Sequence, residues 1–236
     1  MQRFYFENLE KDYFFIDDKN FINQILKVLR GKIGDKYVFF DGKLQKDFIF
    51  ELKEIQKNKI FFQKCDEIDK NSEINFELNL FSAFPNKIEK IEFIVQKCTE
   101  IGVSNFYFFK SSRSQKIFLN ENKIKRIEKI IIEAVEQSGR NVIPKLYFLE
   151  NLDFEKLINS KNIFLHTKNQ NSKELKDLNL DLLKKINIFT GPEGGFDEQE
   201  VAIFEKNDFE RIHLGDRILR TETASIGTVF FIIQNK

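Results

Sequence analysis

Thr190-Gly191-Pro192-Glu193-Gly194-Gly195-Phe196 and, further on, Leu214-Gly215-Asp216-Arg217-Ile218-Leu219-Arg220-Thr221-Glu222-Thr223-Ala224 are the stretches from which the fold is read. The first follows an apolar run, Ile186 to Phe189, patterned as a buried strand, and its three glycines and proline permit backbone conformations and close peptide approach that side chains forbid. The second leaves a shorter strand, Arg211 to Leu214, and Thr221 or Thr223 stands where it would cap a closing apolar helix over 224–234. Open α/β sheets bind small ligands beyond the carboxyl ends of such strands. Either stretch alone also fits a plain turn, with Arg217, Arg220 and Glu222 as solvated charges; together they are less ordinary.

The chain before these loops carries the same alternation. Strands at Phe76 to Phe81, Phe106 to Phe109, Leu146 to Leu149 and Ile163 to Leu165 are separated by helices. One runs from about Pro85 to Ile101, one ends near Ser138-Gly139, and a short one lies near Phe154. A polar loop over 168–172 and a further short helix precede the site strands. Strands alternating with helices predict a parallel sheet covered on both faces. Residues 3–65 instead show short apolar stretches between turn signals, a β-rich pattern broken by one amphipathic helix from Phe21 to Leu29 with a basic end at Lys27 and Arg30. The polar segment Asp66 to Glu73 divides the two patterns. The expected domains are a small β-rich one over 1–70 and an α/β one over 74–236.

With 236 residues, 42% of them hydrophobic and 32% charged, the chain has the composition of a globular protein with a sizeable core. No apolar run approaches membrane-spanning length and the first residues lack a signal peptide's pattern, so a cytoplasmic location without membrane partners is expected. Cys65 and Cys98 lie far apart with no CxxC or Cys/His cluster, which predicts buried free thiols and no metal site. The net charge of +1 is unevenly spread. Lys110 to Lys129 holds seven basic residues against two acids, whereas Asp197 to Asp216 holds seven acids against two bases. A local basic surface of this kind is what nucleic-acid binding needs.

Rival chemistries lack their signatures. There is no GxxxxGK[ST], GPEGG does not have the spacing of GxGxxG, and no GxSxG is present. A second cluster stands mid-chain: Lys87, Lys90, Lys97 and Glu100, then Ser112-Arg113-Ser114, then Glu133, Glu136, Gln137 and Arg140 at helical spacing around Gly139. Surface ion pairing would account for part of it.

GPEGG at 191–195 paired with LGDRILRTETA at 214–224 resembles the RsmE family of ribosomal RNA methyltransferases, in the SPOUT class of knotted enzymes. The resemblance extends to NKIEKIEFIVQKCTEIGV at 86–103, SSRS at 111–114, EAVEQSGRNVIP at 133–144, and Arg3-Phe4-Tyr5, Val28-Leu29-Arg30 and Asp41-Gly42 near the start. It spans nearly the whole chain. One departure is Gln24, where the family commonly has a histidine.

The resemblance implies a trefoil-knotted α/β methyltransferase domain with a parallel sheet, preceded by a PUA-like β-barrel that grips RNA, and a homodimer with sites near its interface. It implies methylation of a uridine N3 in small-subunit (16S) ribosomal RNA, free or assembled, with S-adenosyl-L-methionine as donor and no metal. The cofactor loops would be Leu165-His166; Thr190, Gly191, Pro192, Gly194 and Gly195; and Leu214, Gly215, Arg217, Ile218, Leu219 and Thr221. Removing the N3 proton calls for a cation and a proton acceptor. Arg220 is the candidate cation, with Glu222 or Glu193 as acceptor. RNA contacts fall on Arg3, Arg30, Lys90, Arg113, Gln137, Arg140 and the 110–129 stretch. The alternatives are a knotted methyltransferase with another target, such as a ribose 2′-hydroxyl, and a non-catalytic ribosome-assembly factor.

Overall fold

The computed structural model describes all residues except 8, 10, 116, 168–170 and 181–183. Lys116 and most of the expected polar loop over 168–172 therefore lie outside the described residues. By contacts the chain forms two compact units. The first comprises Met1–Glu73 together with Val135–Ile143, the second Ile74–Ala134 and Pro144–Lys236.

In the first unit, strands β1 (Arg3–Tyr5) and β2 (Tyr13–Ile16) precede a short helix α1 (Lys19–Asn23), after which come β3 (Lys36–Phe40), β4 (Lys46–Gln56) and β5 (Lys59–Asp69). They form one sheet in the order β1-β3-β4-β5-β2, with β1 parallel to β3 and the other pairs antiparallel. Apolar alternation explains its buried face, where Phe4, Phe39, Phe50 and Phe62 pack at ring distances of 5.1–5.8 Å. Strands β4 and β5 outrun their apolar cores, so Asp66 to Asp69 of the expected boundary segment are strand. The polar half of β5 is held by ion pairs of Lys46 and Lys64 with Glu67.

The expected helix from Phe21 to Leu29 is really two pieces. Asp18 caps α1 by accepting from the Phe21 N–H, and the backbone then widens into a π-helical stretch, Gln24–Val28. Arg30 follows at φ 56°, left-handed for a non-glycine residue. Cys65 is exposed rather than buried, because it lies on the outer half of β5; Cys98 is buried, which pushes its thiol up.

Val135–Ile143 belongs to the first unit through polar bonds. Glu136 accepts from the Tyr5 N–H at 2.9 Å, and Asn141 donates to the buried Asp47 at 2.8 Å. Arg3 is paired with the same Asp47 and donates to the Arg140 carbonyl, while Arg140 is buried against Glu73 at 2.7 Å. The expectation that Arg3 and Arg140 face RNA is corrected here: both guanidiniums are spent inside the unit, where an unpaired charge would be costly.

In the second unit, β6 (Glu77–Ala83), α2 (Ile88–Ile101), β7 (Asn105–Phe109), α3 (Glu121–Ser138), β8 (Lys145–Leu149), β9 (Lys161–Leu165), β10 (Lys173–Glu174), β11 (Lys185–Thr190), α4 (Glu198–Lys206), β12 (Glu210–His213) and α5 (Thr221–Asn235) follow in sequence, α3 ending in the first unit's segment. Helix α2 starts later than Pro85, since Lys87 is its extended N-cap, and single 3-10 turns stand at Phe154–Leu157 and Leu175–Asp177. Among the described residues the sheet has seven strands, all parallel, in the order β10-β12-β9-β11-β6-β7-β8. Strand β11 lies between two strands made earlier, β6 and β9.

One sheet face carries two rows running across the strands. Asn105, Asn79, Asn187 and Asn162 stand side by side in register. Asn105 donates to Asn79 (2.7 Å), Asn79 to Asn187 (2.9 Å) and Asn187 to Asn162 (2.7 Å), and the row ends where Asn162 donates to the Leu157 carbonyl. Two residues on, on the same face, Tyr147, Tyr107, Phe81 and Phe189 stack at 4.8, 4.3 and 4.4 Å. A one-residue slip of β6, β7 or β11, which contribute to both, would break both rows at once.

Candidate functional site

The order β12-β9-β11 sets three strand ends side by side, and their loops wall a cavity of about 490 Å³. This volume is in the range of small-molecule sites. Leu165, His166 and Thr167 come from the end of β9, Thr190 to Phe196 from β11, and Leu214 to Thr221 from β12, with Ala224 of α5 and Arg113 of the β7–α3 loop completing the wall. Every residue expected in the cofactor loops lines it. So do Glu193 and Arg220, whereas Glu222 lies just outside the lining.

The walls are braced from behind. The Gly195 N–H donates to the Pro192 carbonyl (2.8 Å), closing the turn, and Arg113 donates to the Gly194 carbonyl at 2.7 Å. The Thr221 hydroxyl donates to the Gly191 carbonyl at 3.0 Å, and Ser225 bonds the Thr190 hydroxyl. The cap expected from Thr221 or Thr223 is thereby corrected: Arg220 is the extended N-cap of α5, without a side-chain bond, and Thr221 is the first helical residue, its hydroxyl turned to Gly191. His213, buried at the end of β12, accepts the Gly215 N–H on Nδ1 at 3.2 Å.

Glycine is required at several of these positions. A Cβ on Gly191 would sit 3.2 Å from the Gly195 Cα, and Gly195 (φ 66°) and Gly215 (φ 89°) adopt left-handed backbone. Four glycines, Gly191, Gly194, Gly195 and Gly215, thus line the cavity, where no side chain screens the backbone. Such a wall suits a ligand with its own hydrogen-bonding groups and flat rings, such as a nucleoside joined to an amino acid.

Beside the cavity, Lys90 of α2 pairs with Glu193 at 2.5 Å and lies 3.9 Å from Glu222. Burial pushes the Glu193 carboxyl up, but the Lys90 ammonium and the Asn86 N–H outweigh it and hold the group below the usual carboxylate range. Gln137 and Arg30 are exposed on the first unit. Thr167, Phe196 and Ala224 line the cavity without having been anticipated; adjacency to the glycine loops was the available signal for them. Nothing local in the sequence marks Arg113 as part of the same wall.

The seven-stranded parallel sheet with its cavity at three adjacent carboxyl ends fits a SPOUT-type α/β methyltransferase fold, and the family model of the RNA methyltransferase domain matches residues 72–232. The ribosomal RNA small subunit methyltransferase E of Buchnera aphidicola (from Acyrthosiphon pisum) is 38% identical, over 91% of this chain and 85% of its own. A second such enzyme, from Borreliella burgdorferi, is 32% identical over 92% and 90%. The crystal structure of the Neisseria gonorrhoeae enzyme bound to S-adenosyl methionine superposes with a TM-score of 0.84 and 26% identity, covering 100% of this chain and 98% of that one. The chain belongs to the ribosomal RNA small subunit methyltransferase E family, and the first unit's sheet is its PUA-like part.

Proposed function

We propose that this protein methylates N3 of a uridine in small-subunit ribosomal RNA, with S-adenosylmethionine as donor. The observation that carries the reading is the cavity lined by glycine-bearing loops from three adjacent strand ends, in a chain of this family. Backbone of Leu165-His166, Thr190 to Gly195 and Leu214 to Thr221 holds the cofactor, and glycines there let peptide N–H and carbonyl groups reach it. The bound cofactor supplies an electrophilic methyl group. Uridine N3 carries a proton at neutral pH, so the chain must remove it and stabilise the anion. Arg220, exposed at the cavity wall, is the cation; Glu222 or Glu193 receives the proton.

RNA is held by Arg30, Arg113, Gln137 and the basic stretch over 110–129, with Lys90 near the reacting base. Arg3 and Arg140 instead bind the first unit together. Cytoplasmic location and a homodimer complete the reading. Among the described residues no helix is long and apolar enough to cross a membrane.

The test is methyl transfer from labelled S-adenosylmethionine to small subunits isolated from cells lacking this gene, followed by nucleoside mass spectrometry. N3-methyluridine formed only with the protein is expected. Label on a ribose or another base would reject the target, and no cofactor binding by calorimetry would reject catalysis.

A further inference from the structure

The two carboxylates beside the cavity are not equivalent. Glu193 accepts from the Lys90 ammonium and from the Asn86 N–H, at 2.5 and 3.1 Å. Glu222 in the first turn of α5 has a side chain only 14% exposed, and its Oε2 is buried with no hydrogen-bond partner. At 3.9 Å from that oxygen the Lys90 nitrogen is too far for a hydrogen bond. A buried carboxylate oxygen without a donor is expensive, and a binding or catalytic role is one reason a native protein keeps such a group. Lys90 has three N–H groups, and Glu193 takes one of them. A carboxylate oxygen without a hydrogen-bond donor and an ammonium with N–H groups to spare thus stand side by side, 3.9 Å apart.

Resting on the proposed uridine methylation, the geometry points to Glu222 and Lys90 as the receptor for the imide edge of the target base. Uracil presents N3–H between two carbonyl oxygens. Glu222 Oε2 accepts N3–H, and Lys90 meets a neighbouring carbonyl oxygen, where the negative charge collects as the proton leaves. As the N3–H bond breaks, its proton passes to Glu222 Oε2. The N3 electron pair forms the bond to the methyl carbon, and the carbon–sulfur bond breaks with its electrons left on sulfur, turning the sulfonium into a thioether. Glu222 then releases the proton to water. Glu193, already saturated and held ionised, is a positioning residue that anchors Lys90. The same pair disfavours cytosine, whose N3 lone pair would face a carboxylate and whose amino group would face an ammonium.

The experiment compares wild type, Glu222→Gln, Lys90→Met and Lys90→Arg on small subunits from cells lacking the gene, with cofactor affinity measured by calorimetry. Glutamine keeps the acceptor but takes no proton. Glu222→Gln should therefore lower kcat at least a hundredfold, with KM for the subunit and cofactor affinity within about threefold of wild type. Lys90→Met should raise KM and lower kcat together, and Lys90→Arg should recover part of both. Wild-type kcat in Glu222→Gln, with N3-methyluridine still formed, overturns this assignment and leaves the proposed function standing. So does loss of cofactor affinity in Glu222→Gln, which would move Glu222 into the cofactor site. If wild type labels a nucleoside other than N3-methyluridine, the proposed function fails and this assignment with it.

Discussion

His213 ends β12 buried, and its Nδ1 accepts the N–H of Gly215, whose left-handed backbone turns the third cavity loop. An acceptor at Nδ1 puts the proton of the neutral ring on Nε2. An asparagine carbonyl sits the same number of bonds from Cα and can accept the same N–H; a leucine cannot. His213→Leu should weaken S-adenosylmethionine binding about fivefold, the worth of one hydrogen bond of about 1 kcal/mol, and His213→Asn should restore most of it. Calorimetry on the three proteins decides the point, and equal affinity in the leucine variant would leave the ring a packing residue. Glu193, on another wall of the cavity, is pushed up by burial but held below its ordinary value by Lys90.

At the level of elements, the asparagine row makes the central strands β6 and β11 sensitive to substitution. Asn187→Ala leaves a donor of Asn79 and the carbonyl of Asn162 unpaired in the interior. A loss of about 3 kcal/mol is expected, read as a shift of the denaturant midpoint at constant m; a loss below about 1 kcal/mol would mean that the row is incidental. A second test concerns the edge formed by β9, β12 and β10, where Glu210 meets Lys161 and Lys173. Burial pushes the Glu210 carboxyl up, but Lys161 and Lys173 outweigh it, so its folded value lies below its unfolded one. Its contribution is whole above the unfolded value of 4.5 and fades as pH falls through the folded value. Glu210→Gln should flatten the fall in thermal stability below about pH 4.5, and an unchanged acid limb would refute this. These rows also mark what could be read in advance. Glycine loops after apolar runs are local chemistry, so GPEGG and its partner loop showed the cavity's position. The order β12-β9-β11 is a matter of long-range pairing that periodicity does not encode. Yet Asn-x-aromatic recurs at Asn79, Asn105, Asn162 and Asn187, a repeat that would have shown which strands stand in register. Arg3 and Arg140 looked like phosphate contacts because burial of a guanidinium depends on Asp47 and Glu73, far off in sequence.

For the whole molecule, removing Arg3 and Arg140 from the proposed RNA-facing set leaves Arg30, Arg113 and the exposed Lys125 and Lys129 of α3. About four phosphate contacts predict an affinity for small-subunit RNA that falls roughly fiftyfold between 50 and 200 mM salt. Filter binding across that range checks it, and a flat profile would make the basic stretch a solvated face. Charge reversal at Lys125, which is exposed, should reduce the slope while leaving cofactor affinity unchanged.

The first unit's dependence on Val135–Ile143 has a consequence in time. Strands β1 to β5 leave the ribosome about sixty residues before the segment that supplies Glu136 to Tyr5 and Asn141 to Asp47. At about 5–20 residues per second, the nascent sheet waits several seconds with Asp47 and Glu73 short of partners, while β6, α2 and β7 emerge behind it. The earliest part of the chain to be made is therefore among the later ones to be finished. An arrest series should show residues 1–73 open to protease until the chain has grown past Ile143, and protection at a shorter length would show that the sheet closes without its last segment.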